Sequence, residues 1–400
     1  AWSISATDEV TVASIVASGM ENAIGEADAY DDDFTFGGNF QLTGTTGIDG
    51  NGGTDNTVTG AGVVTANWAV TSANTGTYNP GTGDTNFTNI HTITGAATTD
   101  ILTGPTAGDI WTMSSGTAGA LSTGDITFNS IDNLVGGTGA DTFKIYDSVA
   151  WAGDIDGTSG TNILSYETWA GSVTVPMSNL KSPGVTGTLS NVTTFKGGGG
   201  TDNTVTGAGG GVAWTGSASK EFNQSTNAYF QEFDKLNAGS GANTLAGIDA
   251  GSSWTITAAD AGGVSDILFT GITGVIGGSG GADTFTMSGT YELTGTTGID
   301  GNSAANTIVG ASDATVGWEV TGTKAGKVKP GANETTFANI SIITGNAATA
   351  DTITNTSDGA LAWSISATDQ VTVASIVASG IENAVGEADA YDDTFTFGGN

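Results

Sequence analysis

Hydrophobic positions in this chain recur in three short patterns. The first opens on Trp and alternates apolar with polar residues: Trp2-Ser-Ile-Ser, then likewise from Trp68, Trp111, Trp214, Trp254, Trp318 and Trp363, with Gly171-Ser-Val-Thr where an eighth is due. Alternation of this kind predicts strands with one buried face. The second is Asp or Asn, usually Thr, then an apolar residue, at Asp32, Asn56, Asp100, Asp141, Asn162, Asn203, Asn243, Asp283, Asn306, Asp351 and Asp393. The third spaces apolar residues by three and ends in Gly, as in Phe87, Ile90 and Ile93 before Gly95, or Phe128, Ile131 and Leu134 before Gly136. Its β-branched content, shortness and flanking Gly predict strands bent around corners, not helix. The best helical candidate runs from Ala13 to Glu26. Even there Ile15 and Val16, after the alternating Val10 and Val12, pull toward strand.

Steps along the Asp/Asn ladder are either 21–24 or 40–45 residues. Taken as one and two coils, they give about 17 coils of roughly 21 residues in 361. The expected fold is all-β, a parallel β-solenoid. A lone coil of this size cannot stabilise itself, so each must share hydrogen bonds and buried faces with its neighbours. Larger copies overlie the coil period. Ala1 to Asn39 recurs as Ala362 to Asn400 with four differences, Leu42 to Asn51 recurs as Leu293 to Asn302, and Thr54 to Gly62 as Thr201 to Gly209. The chain is therefore expected to hold one complete tandem repeat, 1–361, and the start of the next, 362–400, cut from a longer array.

Composition narrows the function. The net charge is -33, with 41 acidic residues against 8 basic ones, all Lys. A nucleic-acid partner is excluded, since phosphate neutralisation needs a basic face. No apolar run approaches the roughly 20 residues of a membrane-spanning helix. Nine Trp, fifteen Phe and seven Tyr at regular spacing argue for a folded chain despite 65 Gly. There is no Cys, no Arg and one His, His91. Nucleophilic triads and His-based metal catalysis therefore lack their residues, and no enzyme is expected.

Two places could hold a hard cation. Gly136-Gly137-Thr138-Gly139-Ala140-Asp141-Thr142-Phe143-Lys144 fits GGxGxDxUx, the turn that holds Ca²⁺ in calcium-binding β-rolls; Gly277 to Phe285, with Asp283, is a looser fit. Glu26, Asp28, Asp31, Asp32 and Asp33 form the densest acidic cluster, and Glu387, Asp389, Asp392 and Asp393 are its second copy. Ca²⁺ takes six to eight oxygen ligands in flexible geometry, which suits such a turn. The alternatives are a stacked Asp/Asn ladder satisfying its own backbone and an exposed acidic loop. The ladder Trp residues read as a core stack, with a sugar-stacking stripe as the alternative, whereas Trp151 and Trp169 fall off the ladder and are expected at the surface. Lys324, Lys327 and Lys329 lack an acidic cluster nearby in sequence and read as a solvated turn.

The GGTGADTFK stretch, the repeated ADTF turns and the Cys-free, acidic, Thr/Gly-rich array resemble the giant repetitive exoproteins of Gram-negative bacteria, the haemagglutinin-like and RTX-like β-solenoid adhesins. The resemblance implies a secreted or surface-held stalk or filament, often calcium-binding, with Gly136, Gly137, Gly139 and Asp141 as the matching positions and Asp283 more loosely. The expected function is a structural extracellular filament built of end-to-end repeats, with lateral bundling; the alternative is an adhesin shaft that itself binds glycan or a cell-surface partner.

Overall fold

A computed structural model of the chain describes all residues except 63–64, 97–98, 179–181, 225–227, 303–304, 347–349, 389–390 and 399–400. The described residues form short strands with one 3-10 turn, Thr123–Asp125. The helix candidate is strand at Ile15–Ser18 and Ala23–Ile24. The class is a parallel β-solenoid. Two compact units compose it: Ala1–Val175 with Asn179–Thr201, and Pro176–Ser178 with Asp202–Asn400.

Each unit has two parallel sheets whose inward residues stack turn on turn. In the first unit one sheet aligns Phe34, Val58, Ile93 and Phe128. The other aligns Trp68, Leu102, Leu134, Ile155 and Leu189. In the second unit the columns are Trp214, Leu245, Val275, Ile299 and Phe337, and Trp254, Phe285, Ile308, Ile343 and Ala378.

Every Trp strand of the alternating pattern opens a three-stranded antiparallel meander. Its first strand pairs forward with the next turn and, in every meander after the Trp2 one, its third pairs back with the previous turn. Trp111 thus lies beside Phe143, while Phe128 of the third strand lies beside Ile93. The Trp68, Trp254 and Trp318 meanders repeat the arrangement through Phe87, Phe269 and Phe337.

This corrects the coil count. Turns without a meander run from 21 residues, Phe143 to its partner Leu164, up to 34, Ile155 to Leu189, and one with a meander reaches 39, from Ile48 to Phe87. About 12 turns result, not 17. The 40–45-residue ladder steps are not two equal coils. Each carries the ladder to the other sheet, as from Asp100–Thr103 to Thr142–Ile145.

The corners follow the pattern of threes. Phe87, Ile90 and Ile93 are all buried, and Asn89, at φ 53°, turns the chain between Thr85–Thr88 and Thr92–Thr94. Ser130 and Asn339 take the same left-handed conformation at matching corners. Six of the seven ladder Trp residues are at most 1% exposed. Trp111 stacks on Phe143 at 5.6 Å and Trp254 on Phe285 at 5.8 Å, each pair adding about 1 kcal/mol beyond burial. Trp151, expected at the surface, is fully buried edge-on to Phe128, because it bridges to Val185 of the next turn. Trp169 is half-buried, its indole donating to the Ile145 carbonyl.

Candidate functional site

The chemistry of the chain concentrates where a Gly corner meets an Asp or Asn ahead of a strand. From Asn56 to Asp351 every ladder residue is at most 1% exposed, and only Asp32 and Asp393 are half-buried. Burying so many carboxylates and carboxamides requires partners for each. The corners supply them in two ways.

One side-chain oxygen accepts an amide N–H from the preceding turn. Asp109 N donates to Asp141 Oδ1 at 2.8 Å, and Asp141 N donates in turn to Asn162 Oδ1 at 2.9 Å. Ser252, Asp283 and Asn306 repeat this at 2.6 and 2.7 Å. The other side-chain atom faces the residue's own Gly corner, and there Asp and Asn part. Asp corners turn an N–H inward: Glu26 N to Asp32 Oδ2 at 3.0 Å, Ala96 N to Asp100 Oδ2 at 2.5 Å, Asn346 N to Asp351 Oδ2 at 2.6 Å, Glu387 N to Asp393 Oδ2 at 2.7 Å. Asn corners turn carbonyls inward. Asn162 Nδ2 donates to Gly157 O at 2.7 Å and Asn191 O at 2.9 Å, and Asn56 Nδ2 to Gly50 O at 2.9 Å and Asn89 O at 3.0 Å.

The indole of the Trp strand completes two of the Asp corners. Trp2 Nε1 donates to Asp32 Oδ1 at 3.0 Å and Trp111 Nε1 to Asp141 Oδ1 at 3.2 Å. At Asp100 the Trp68 indole lowers the carboxyl's pKa yet lies outside good hydrogen-bonding geometry, and burial prevails, lifting the group to about 6. Burial also raises Asp141 and Asp283, each of which leaves Oδ2 without a well-formed partner.

The GGxGxDxUx glycines serve packing here. A Cβ on Gly136 would sit 2.5 Å from Asp141 Oδ2. On Gly137 or Gly139 it would strike the backbone at Pro105 or Ala107, one turn earlier. Close stacking of turns therefore requires these glycines.

The exposed acidic turn is held the same way. Asp28 Oδ1 accepts Tyr30 N at 3.0 Å, and Asp31 Oδ1 accepts Thr54 N at 3.0 Å and Asp55 N at 2.8 Å. Glu26 and Asp33 face solvent. In the second copy Asp393 Oδ1 accepts Leu361 N at 2.6 Å, Glu387 is half-buried, Asp392 is exposed, and Asp389 lies outside the described residues. Among the described residues no three of His, Cys, Asp or Glu are grouped together around one point.

Sequence reasoning missed the acids opposite the Lys cluster. Lys327 pairs with Glu334 at 2.7 Å, and Lys329 with Glu319 and Glu334, across their own meander. Antiparallel pairing of Glu319 with Lys327 makes these neighbours. His91 is half-buried just before Thr92–Thr94, with Nδ1 unpartnered. No described helix is long and apolar enough to cross a membrane. No protein-family model matches the chain, and comparison with curated proteins finds no match.

Proposed function

We propose that this chain is a structural shaft element, a stack of turns whose task is to hold length and shape outside the cell, and not an enzyme. The observation that carries the reading is the cross-turn ladder. Buried Asp and Asn fasten each turn to the one before, and the corner chemistry is spent on the backbone itself. A solenoid stabilised by nearest neighbours adds turns without needing any terminal domain to define its shape. Electron microscopy of chains carrying one, two and four 361-residue periods tests this. Rods that lengthen in proportion support it, and compact particles of constant diameter would refute it.

For calcium we propose loose binding from solvent at the exposed Glu26, Asp28 and Asp33, which do not converge on one point; in the ladder, Asp141 and Asp283 each keep Oδ2 without a well-formed partner. The adhesin alternative loses its Trp stripe to the core. It keeps Tyr30 and Tyr391, 77% and 52% exposed beside the acidic turns, as aromatic surfaces for a glycan.

A further inference from the structure

The corner Asp49-Gly50-Asn51-Gly52 holds the one Asn-Gly pair in the sequence. The fold asks for both residues. Asn51 sits in the left-handed region at φ 54°, which Asn tolerates, and its Nδ2 donates to Gly25 O of the previous turn at 3.1 Å. A Cβ on Gly52 would lie 2.3 Å from Asp28 O, so close stacking admits only glycine there. The duplicate corner keeps Asn302 at φ 64°, with Nδ2 donating to Gly277 O at 3.2 Å, but Ser303 follows it in the sequence.

An Asn-Gly pair is chemically labile. With no Cβ beside it, the glycine N–H is unshielded, and its backbone reaches conformations closed to other residues. Gly52 N can attack Asn51 Cγ. The Cγ–Nδ2 bond then breaks, ammonia leaves with the proton from Gly52 N, and a succinimide ring remains. Water opens the ring at either carbonyl, to Asp or to isoaspartate. In the folded corner both reacting groups are engaged: Asn51 Nδ2 by Gly25 O, and Gly52 N by Glu26 O at 3.2 Å. Asp31 Oδ1 clamps the same two segments, accepting Thr54 N at 3.0 Å and Asp55 N at 2.8 Å. Asn51 and Gly52 are both exposed, so the water is at hand.

We infer that Asn51 is a self-modification site, a deamidating amide latched by the acidic turn at 25–31. Local opening of the cross-turn bonds frees Gly52 N and sets the rate. The product then opposes reclosure. Its carboxylate faces Gly25 O, an acceptor, where the amide had placed a donor. It also stands beside Asp49, whose Oδ1 accepts Asn51 N at 2.9 Å. Deamidation is thus a one-way release of the turn, timed by the fold. The latch depends on contacts between residues 25–31 and 51–55, not on the shaft or calcium roles.

The test incubates the 400-residue chain in mildly alkaline buffer and follows amide loss and isoaspartate by mass spectrometry of proteolytic fragments. In urea Asn51 should react fastest of all the Asn residues, ahead of Asn302 with its Ser neighbour. In the folded chain it should react slower by about tenfold or more, the protection that one or two net hydrogen bonds give against local opening. Asp31→Ala should raise the folded-state rate by about tenfold and leave the rate in urea unchanged, which separates the latch from the chemistry. Asn51→Asp, the product itself, should speed hydrogen exchange at Gly52 N. Equal rates at Asn51 in the folded and unfolded chain overturn the inference. So do a folded-state rate untouched by Asp31→Ala, faster reaction at Asn302 than at Asn51 in urea, or exchange unchanged by Asn51→Asp. Rod length on adding repeats does not enter any of these readouts, so their failure leaves the shaft reading standing.

Discussion

Trp111 and Asp141, thirty residues apart, meet one turn apart, indole Nε1 to carboxylate Oδ1 at 3.2 Å. The same oxygen accepts Asp109 N. A single buried atom thus ties the opening strand of a meander to the strand that stacks on it. The energetic consequence lies in the asymmetry of buried hydrogen bonds: a made bond adds little, while an orphaned group costs about 1–3 kcal/mol.

Asp141→Ala should therefore destabilise by about 2–4 kcal/mol, since Asp109 N and Trp111 Nε1 both lose their acceptor. Urea denaturation measures it. A change under about 0.5 kcal/mol would mean the ladder is ornamental.

Asp and Asn corners should not be interchangeable. Asn162→Asp would aim a carboxylate at Gly157 O and Asn191 O, both acceptors, at a cost of about 2–3 kcal/mol. If the charge change is tolerated at both kinds of corner, the distinction between inward N–H and inward carbonyl has no energetic content.

Gly136→Ala should cost about 1–3 kcal/mol, the range of overpacking in a close-packed interior, because its Cβ would meet Asp141 Oδ2 at 2.5 Å. Gly322→Ala, with nothing within 4 Å, is the control and should lie within about 0.5 kcal/mol of the parent. Equal effects at the two positions would contradict the packing role of the corner glycines.

Acid should stabilise the fold before it harms it. Burial lifts Asp100 from 3.8 to about 6, so the folded chain holds that proton more tightly than the unfolded one. Its contribution, on the order of 3 kcal/mol, is full below about pH 4 and is lost as pH rises through about 6. Asp141 and Asp283 act in the same direction. Glu167, held down by Lys144 and Lys196, opposes them only as pH falls below its unfolded value, near 4.5. The melting temperature should rise from pH 7 to pH 5, and Asp100→Asn should flatten the rise. A steady fall over that range, unchanged by the substitution, would contradict the assignment.

Much of this fold was legible because its rules are local. Gly before Asp or Asn, Trp alternation and the triplet spacing of Phe87, Ile90 and Ile93 each report one corner or strand. Turn length was not legible. Trp111 and Phe128 sit seventeen residues apart on the first and third strands of one meander, yet their spacing imitates a coil. Only pairing shows that Trp111 reaches forward to Phe143 and Phe128 back to Ile93. The Asp141 motif was visible for a similar reason, while its carboxylate's partners, Asp109 N and the Trp111 indole, lie a full turn away. No local pattern distinguishes an oxygen awaiting a cation from one already bonded to an amide.

The most direct test of the stacked register exploits the absence of Cys in the chain. Thr92 and Thr127 face each other on neighbouring turns with their hydroxyl oxygens 2.8 Å apart. In-register parallel neighbours lie about 4.8 Å apart, within reach of a disulfide. Thr92→Cys with Thr127→Cys should cross-link rapidly under mild oxidation. Thr92→Cys with Met113→Cys, one 21-residue spacing apart, should not. Cross-linking of the second pair and not the first would contradict the register and the meander-bearing turn.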